Sequence, residues 1–211
     1  MEFWNSLLTE KSWQELQHLC TLDFTFVVIG GWAAYLWTKL HKSKDIDIVL
    51  SSVAELENVR RMYDVSKNTH LKKYEVKREE FDIDIYVPYF SKLPIPVEDI
   101  PLYATKVEGI PVVIPEALII LKQGAEIDRR DSVKGQKDRL DIMALLCYAP
   151  IDFKTYYQLL KKYKLPYDKR LHDIVQSFSE YRYLNLTPRL LKIKKEEIVK
   201  KMKNVVWSFS V

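Results

Sequence analysis

Glycine and cysteine are scarce in this chain, with five and two among 211 residues. Five glycines and nine prolines exclude collagen-like and low-complexity architectures. Cys20 and Cys147 allow at most one disulfide. Each lies in an apolar stretch, so two buried free thiols and a reducing compartment are expected. The four histidines (His18, His41, His70, His172) show neither His-x-x-x-His nor Cys–His spacing, which argues against zinc. His41, just ahead of Asp45, is expected on a surface loop. No Gly-Lys-Ser/Thr loop and no Gly-x-Ser-x-Gly elbow occurs, so neither a P-loop NTPase nor an α/β-hydrolase is supported. Long apolar runs are missing too. The longest, Phe24 to Trp37, contains Thr25 and a glycine pair and falls short of the roughly 20 residues that cross a bilayer. Glu2 puts an acid where a secretory signal starts basic, so a cytoplasmic protein without membrane contact is expected.

What is present suffices for a core: 47% of residues are hydrophobic and 29% charged. Basic residues outnumber acidic ones by 33 to 29, a net charge of +4 that is compatible with an anionic substrate and far from histone-like density. Residues 2–20 read as an amphipathic helix with Phe3, Trp4, Leu7, Leu8, Trp13, Leu16 and Leu19 at three- and four-residue steps. Phe24 to Ile29 reads as a buried strand closed by the Gly30-Gly31 turn, and Trp32 to Leu40 as a helix. Lys44 to Leu50 alternates polar and apolar as a strand does. Ser51-Ser52 then offers an N-cap for a helix carrying Val53, Leu56, Val59 and Met62. Two further strands follow, Tyr74–Lys77 and Phe81–Val87, separated by a charged turn and closed by Pro88. Residues 91–115 hold five of the nine prolines around two short β-like pieces, an edge hairpin or an irregular connection. Pro115 opens a long helix, Glu116 to about Ile127. Beyond it, helices are expected near 136–147, 153–163, 168–182 and 195–204, with a strand conceivable only in the last few residues. Interleaved strands and helices followed by helices give an α/β or α+β core with a helical C-terminal part.

Four features bear on chemistry. Gly30-Gly31 sits at a strand-to-helix turn, where glycine lets an anion approach backbone N–H groups at a helix start, or simply makes the turn. Asp45 and Asp47, two apart on a strand, share one face with Cα atoms about 6.5–7 Å apart. Such a pair suits a hard divalent cation, or else it is a solvated strand face. Asp82-Ile83-Asp84 repeats the pattern, and if the two strands are neighbours their clustered carboxylates repel unless cations bind. Asp84 is the preferred ligand, because Ile85-Tyr86-Val87 follows it as Ile48-Val49-Leu50 follows Asp47; Asp82 shares the face and is the alternate. The fourth feature is basic. Lys122 lies inside an otherwise apolar helix, and Lys137-Asp138-Arg139-Leu140-Asp141 places Asp138 and Asp141 on one helix face. The alternative for this last group is an exposed salt-bridged turn.

In this order, Gly30-Gly31, Asp45-Ile46-Asp47, Asp84, Lys122 and Lys137-Asp138-x-x-Asp141 resemble the nucleotidyltransferase superfamily with the DNA-polymerase-β-type palm fold. More narrowly they resemble the AbiEii/MenA group of nucleotidyltransferase-like toxins and its minimal relatives. The resemblance spans roughly residues 24–147. It implies a mixed-sheet palm core with an N-terminal helix over residues 1–115 and a helical part over 116–211. It also implies transfer of a nucleoside monophosphate from an NTP, ATP included, to an acceptor hydroxyl, with release of pyrophosphate. Asp45, Asp47 and Asp84 would hold two Mg²⁺ ions, with Mn²⁺ as a substitute. Gly30, Gly31, Lys44, Lys122 and Lys137 would bind the nucleotide, while Asp138 orients Lys122 or assists proton transfer. A tRNA or other RNA acceptor and a cognate antitoxin are the implied partners.

One position departs from the toxin pattern. Trp32 stands where that group has a small polar residue, and aminoglycoside nucleotidyltransferases also read Gly-Gly-Trp, so a small-molecule acceptor stands beside RNA. Lysines 192, 194, 195, 200, 201 and 203 form either a phosphate-tracking surface or an ordinary solvated helix face. Two rivals from other classes remain. One is a glycosyltransferase, which also uses Asp-x-Asp; the other is a non-catalytic nucleotide-binding or regulatory module of the same fold.

Overall fold

A computed structural model of the chain describes residues 6–208, which divide into two compact units, one ending at Ile114 and the other beginning at Pro115. In the first, α1 (Ser6–Leu19) precedes β1 (Phe26–Ile29), α2 (Gly30–Thr38), β2 (Ile46–Leu50), α3 (Glu55–Met62), β3 (Ser66–Asn68), β4 (Lys73–Lys77) and β5 (Asp82–Tyr86). A 3-10 segment (Val97–Tyr103) leads to the hairpin β6 (Ala104–Val107) and β7 (Ile110–Val113). The seven strands form one mixed sheet in the order β3-β4-β5-β2-β1-β7-β6. β2 runs parallel to β5 and β1 parallel to β7, and the other neighbours are antiparallel. This is the α/β class expected from the interleaved pattern.

The central strands are buried because their apolar residues meet cover on the sheet. Val28, Ile46, Ile48, Leu50, Ile83 and Ile85 are all at most 1% exposed. Several boundaries differ from the sequence reading, each for a local reason. Gly30, at φ +67°, turns the chain from β1 directly into α2, so the helix starts at the glycine pair and not at Trp32. α3 begins at Glu55 without a side-chain cap. The amides of Leu56 and Glu57 donate to the carbonyls of Val53 and Ala54, which leaves Ser51-Ser52 no capping role. β3 is polar and three residues long, too short to show alternation. The proline-rich stretch does form a hairpin, yet only β6 is an edge; β7 pairs with β1 at Val28 and Val112. The predicted positions Phe3 and Trp4 of the first helix lie outside the described residues.

The second unit is helical: α4 (Pro115–Asp128), α5 (Val133–Tyr148), α6 (Phe153–Tyr163), α7 (Asp168–Ser177), a 3-10 turn (Tyr181–Leu184) and α8 (Pro188–Ser208). α5 begins earlier than its hydropathy suggests because Ser132 caps it, its Oγ accepting from the Gly135 amide at 3.0 Å. Asp152 caps α6 in the same way, accepting from the Lys154 and Thr155 amides. The helix expected over 168–182 breaks at Phe178, where the backbone turns extended. Pro188 starts α8 instead of interrupting the chain, with the Thr187 hydroxyl accepting from the Leu190 amide. A strand in the last few residues falls on 209–211, outside the described part.

Both cysteines are free thiols, but Cys20 is exposed at the end of α1 and Cys147 is half-buried, so neither is the fully buried group expected. His41 is 7% exposed, which corrects its placement on a surface loop. Among the described residues no helix is long and apolar enough to cross a membrane.

Candidate active site

The site begins with strand register. β2 and β5 pair in parallel with Asp47 opposite Asp84 and Ile46 opposite Ile83, and β4 continues the row with Glu75 opposite Asp84. Paired residues share a face, and neighbouring strands lie about 4.8 Å apart. Glu75, Asp84 and Asp47 therefore stand side by side on three adjacent strands. The isoleucines between them point the other way into the core. Asp45, expected on the same strand as Asp47, lies in a bend just before β2, where its Oδ1 accepts from the Asp82 amide at 3.3 Å. The Asp82 side chain shares the face but is opposite Lys77, one pleat from the row that Asp47 and Asp84 define.

The glycine pair is shaped around these acids. A Cβ on Gly30 would lie 2.1 Å from Asp47 Oδ2, and one on Gly31 would lie 2.5 Å from Ser43 Oγ. Only glycine lets the start of α2 approach the acid-bearing segment so closely. Ser43 fixes that segment, donating from Oγ to the Asp45 carbonyl at 3.0 Å while its own carbonyl accepts from Ser12 Oγ at 3.0 Å. Lys44 follows, half-buried, just before β2. Trp32 points into the core, fully buried, with ring centroids 5.0 Å from Trp13 and 5.5 Å from Tyr35. Its bulk packs the core beneath the glycine pair.

A lysine occupies the acid row. Lys73 Nζ stands 2.6 Å from Asp84 Oδ2 and 3.1 Å from Glu75 Oε1, with its side chain only 13% exposed. Asn68 Nδ2 also donates to Glu75 Oε1, at 3.0 Å. Burial works against the Lys73 charge, but Asp84 and Glu75 outweigh it and hold its pKa above the ordinary lysine value. Burial raises the pKa of Asp84; Lys73 counters, Glu75 and Asp45 add repulsion, and the net shift is upward. Among the described residues, no three His, Cys, Asp or Glu side chains stand together as a ready-made metal cluster. The donor chemistry nevertheless fits a hard divalent cation. It consists of carboxylate oxygens on adjacent strands, beside a helix start that would be closed to them if Gly30 carried a Cβ. Lys73 holds Asp84 Oδ2, so a cation at Asp84 meets an ammonium already seated on that carboxylate.

Lys122 and Lys137 lie in the helical unit and are ion-paired there. Lys122 is 7% and Lys137 6% exposed, so the segment is buried helix and not the exposed turn of the alternative reading. Lys122 Nζ is 3.1 Å from Asp138 Oδ1 and 2.8 Å from Asp141 Oδ2, and Lys137 pairs with Asp141. Arg129 completes the group, 2.7 Å from Asp138 Oδ2. Burial pulls the Lys137 pKa down despite Asp141, whereas Lys122 and Lys137 together overcome burial at Asp141 and hold its carboxyl low. Asp138 and Lys122 are thus ion-paired side chains of facing helices.

The fold has known counterparts. A candidate nucleotidyltransferase from H. pylori is similar over 95% of this chain and 97% of its own, with a TM-score of 0.52 at 17% identity. JHP933 from Helicobacter pylori is similar over 97% of this chain and 96% of its own, with a TM-score of 0.50 at 17% identity. The chain has a nucleotidyltransferase-like fold. No protein-family model matches the sequence, and no curated protein does either.

Lys73 and Glu75 were not singled out in the sequence. Their signal is the alternation of Lys73-Tyr74-Glu75-Val76-Lys77, which puts both on one face. Only the pairing of β4 with β5 shows which face that is.

Proposed function

We propose that this protein transfers a nucleoside monophosphate from a nucleoside triphosphate to an acceptor hydroxyl, releasing pyrophosphate. The observation that carries this reading is the register of Asp47 against Asp84, with the Gly30 bend built around the Asp47 carboxylate. Asp45, Asp47 and Asp84 would hold Mg²⁺, which supplies charge neutralisation on the triphosphate and a more acidic acceptor hydroxyl. The amides at the start of α2, beside Gly30 and Gly31, provide donors for the triphosphate oxygens. Lys44, half-buried just before β2, would add a cation. The acceptor oxygen bonds to the α-phosphorus as the bond from that phosphorus to the bridging oxygen breaks. The hydroxyl proton passes to a carboxylate of the row or to water. Lys122 and Lys137 are held by Asp138 and Asp141 within the helical unit and are not drawn on in this reading.

The acceptor we propose is RNA. Its support is a groove of about 640 Å³ along α8, flanked by the exposed Lys192, Lys200 and Lys203. The test is pyrophosphate release from each of the four NTPs with total RNA and Mg²⁺, for wild type and Asp47→Asn. Asp47→Asn should lower release by at least about 100-fold with an unchanged melting temperature. Equal rates would remove the assignment. The seating of Lys73 on Asp84 favours a second reading, a non-catalytic nucleotide-binding module. Nucleotide-dependent thermal stabilisation without pyrophosphate release would select it.

A further inference from the structure

The acid row contains its own cation. Glu75, Asp84 and Asp47 are adjacent in register, Asp45 is close enough to add repulsion at Asp84, and Lys73 lies across Asp84 and Glu75. A surface ion pair would be mobile and screened. This one is mostly buried, and its acceptors are the carboxylate directly opposite Asp47 and that carboxylate's neighbour on β4. The ammonium has three donors on a flexible four-carbon stem. It can release Asp84 and remain anchored, because Glu75 still holds it and is itself fixed by Asn68 Nδ2.

We propose that Lys73 is a positioning residue for the third carboxylate. As a resident counter-cation it holds Asp84 while no divalent ion is bound, and it withdraws to Glu75 when one arrives. This inference rests on the nucleotidyltransferase reading, since it assigns Asp84 to a metal ion. Two consequences follow from the geometry. The row is kept from self-repulsion in the metal-free protein, and every ion that Asp84 ligates must compete with an ammonium held 2.6 Å away. Lys73 therefore sets the affinity of the site and not its chemistry.

The test is direct Mn²⁺ binding, read from the electron paramagnetic resonance of the free ion, without nucleotide or turnover. Lys73→Met should bind Mn²⁺ about tenfold more tightly than wild type. Lys77→Met, which removes an exposed ammonium 3.8 Å from Glu75 that has no contact with Asp84, should bind as wild type does. In an Asp84→Asn background, Lys73→Met should give no gain, because the ligand it frees is no longer a carboxylate. Where Lys73→Met does not fold, the comparison of K73M/E75Q with E75Q replaces it, since that pair removes the ammonium together with one of the charges it balances. Equal binding by wild type and Lys73→Met overturns the role of Lys73 and leaves the nucleotidyltransferase reading standing. So does a gain that persists with Asn at 84, which would mark a general field effect. Absence of Mn²⁺ binding by every form overturns both.

Discussion

Gly30 and Gly109 both have positive φ, +67° and +82°, but only Gly30 faces a neighbour. An added methyl at Gly109 meets nothing within 4 Å, whereas at Gly30 it would fall on the Asp47 carboxylate. Gly109→Ala thus reports the backbone cost alone, about 1–2 kcal/mol. Gly30→Ala should cost more, by roughly another 1–3 kcal/mol, and should also displace Asp47. Urea denaturation of the two variants measures the difference, and equal midpoints would show that the close approach is not needed. The same comparison shows what a residue pattern can convey. A glycine pair after an apolar strand is visible in the sequence, but the requirement is set by Asp47 and Ser43, more than ten residues downstream. The aspartates were legible for a different reason. Acids alternating with isoleucine on a strand have no place in a buried core, so their face was fixed before the sheet was known. Lys73 and Glu75 alternate in the same way, but with valine and tyrosine among other charges, and nothing local distinguishes them from a solvated strand.

At the scale of elements, the helical unit was predicted mainly from apolar spacing, and its internal polarity was not. Caps moved the ends of α5 and α8, and the buried ion pairs between α4 and α5 depend on a helix packing that spacing alone does not specify. Glu126 shows the energetic side. It is fully buried on α4, and it accepts from Arg139 Nη1 on α5 at 2.9 Å and from Arg170 Nε on α7 at 2.8 Å. Burial raises the Glu126 pKa, yet Arg170 and Arg139 prevail and hold it below the ordinary carboxylate value. A carboxyl whose folded pKa is depressed stabilises fully above its unfolded pKa of about 4.3. That contribution is lost as pH falls through the lower folded value. Glu126→Gln should therefore lower stability at pH 7 by about 1–3 kcal/mol and flatten the acid limb of melting temperature against pH. The two curves should converge at the acid end. Parallel curves from pH 7 down to pH 2 would show that the arginines find other partners.

For the whole molecule, the excess of 33 basic over 29 acidic residues is small, and what matters is where the charge gathers. One sheet face concentrates carboxylates, while α8 presents Lys192, Lys200 and Lys203 on an exposed groove. Lys195, also beside that groove, is already committed to the carbonyls of Gln176 and Phe178, at 2.6 and 3.0 Å, where it caps the end of α7. It is therefore a structural lysine, and the other three are the ones available to phosphate. If the acceptor is RNA, its binding should weaken with salt, and each lysine that neutralises a phosphate adds about −0.7 to the slope of log affinity against log salt. Replacing Lys192, Lys200 and Lys203 together by Ala should make that slope shallower by about 2 and raise the RNA concentration needed for half-maximal pyrophosphate release. Turnover at saturating RNA should be preserved, because none of the three belongs to the acid row. A small-molecule acceptor predicts the opposite pattern: the triple variant would keep its acceptor dependence unchanged, and salt would act only through the triphosphate. Filter binding between 50 and 300 mM salt, run beside pyrophosphate release, separates the two, because the slope counts phosphate contacts and turnover reports the carboxylates.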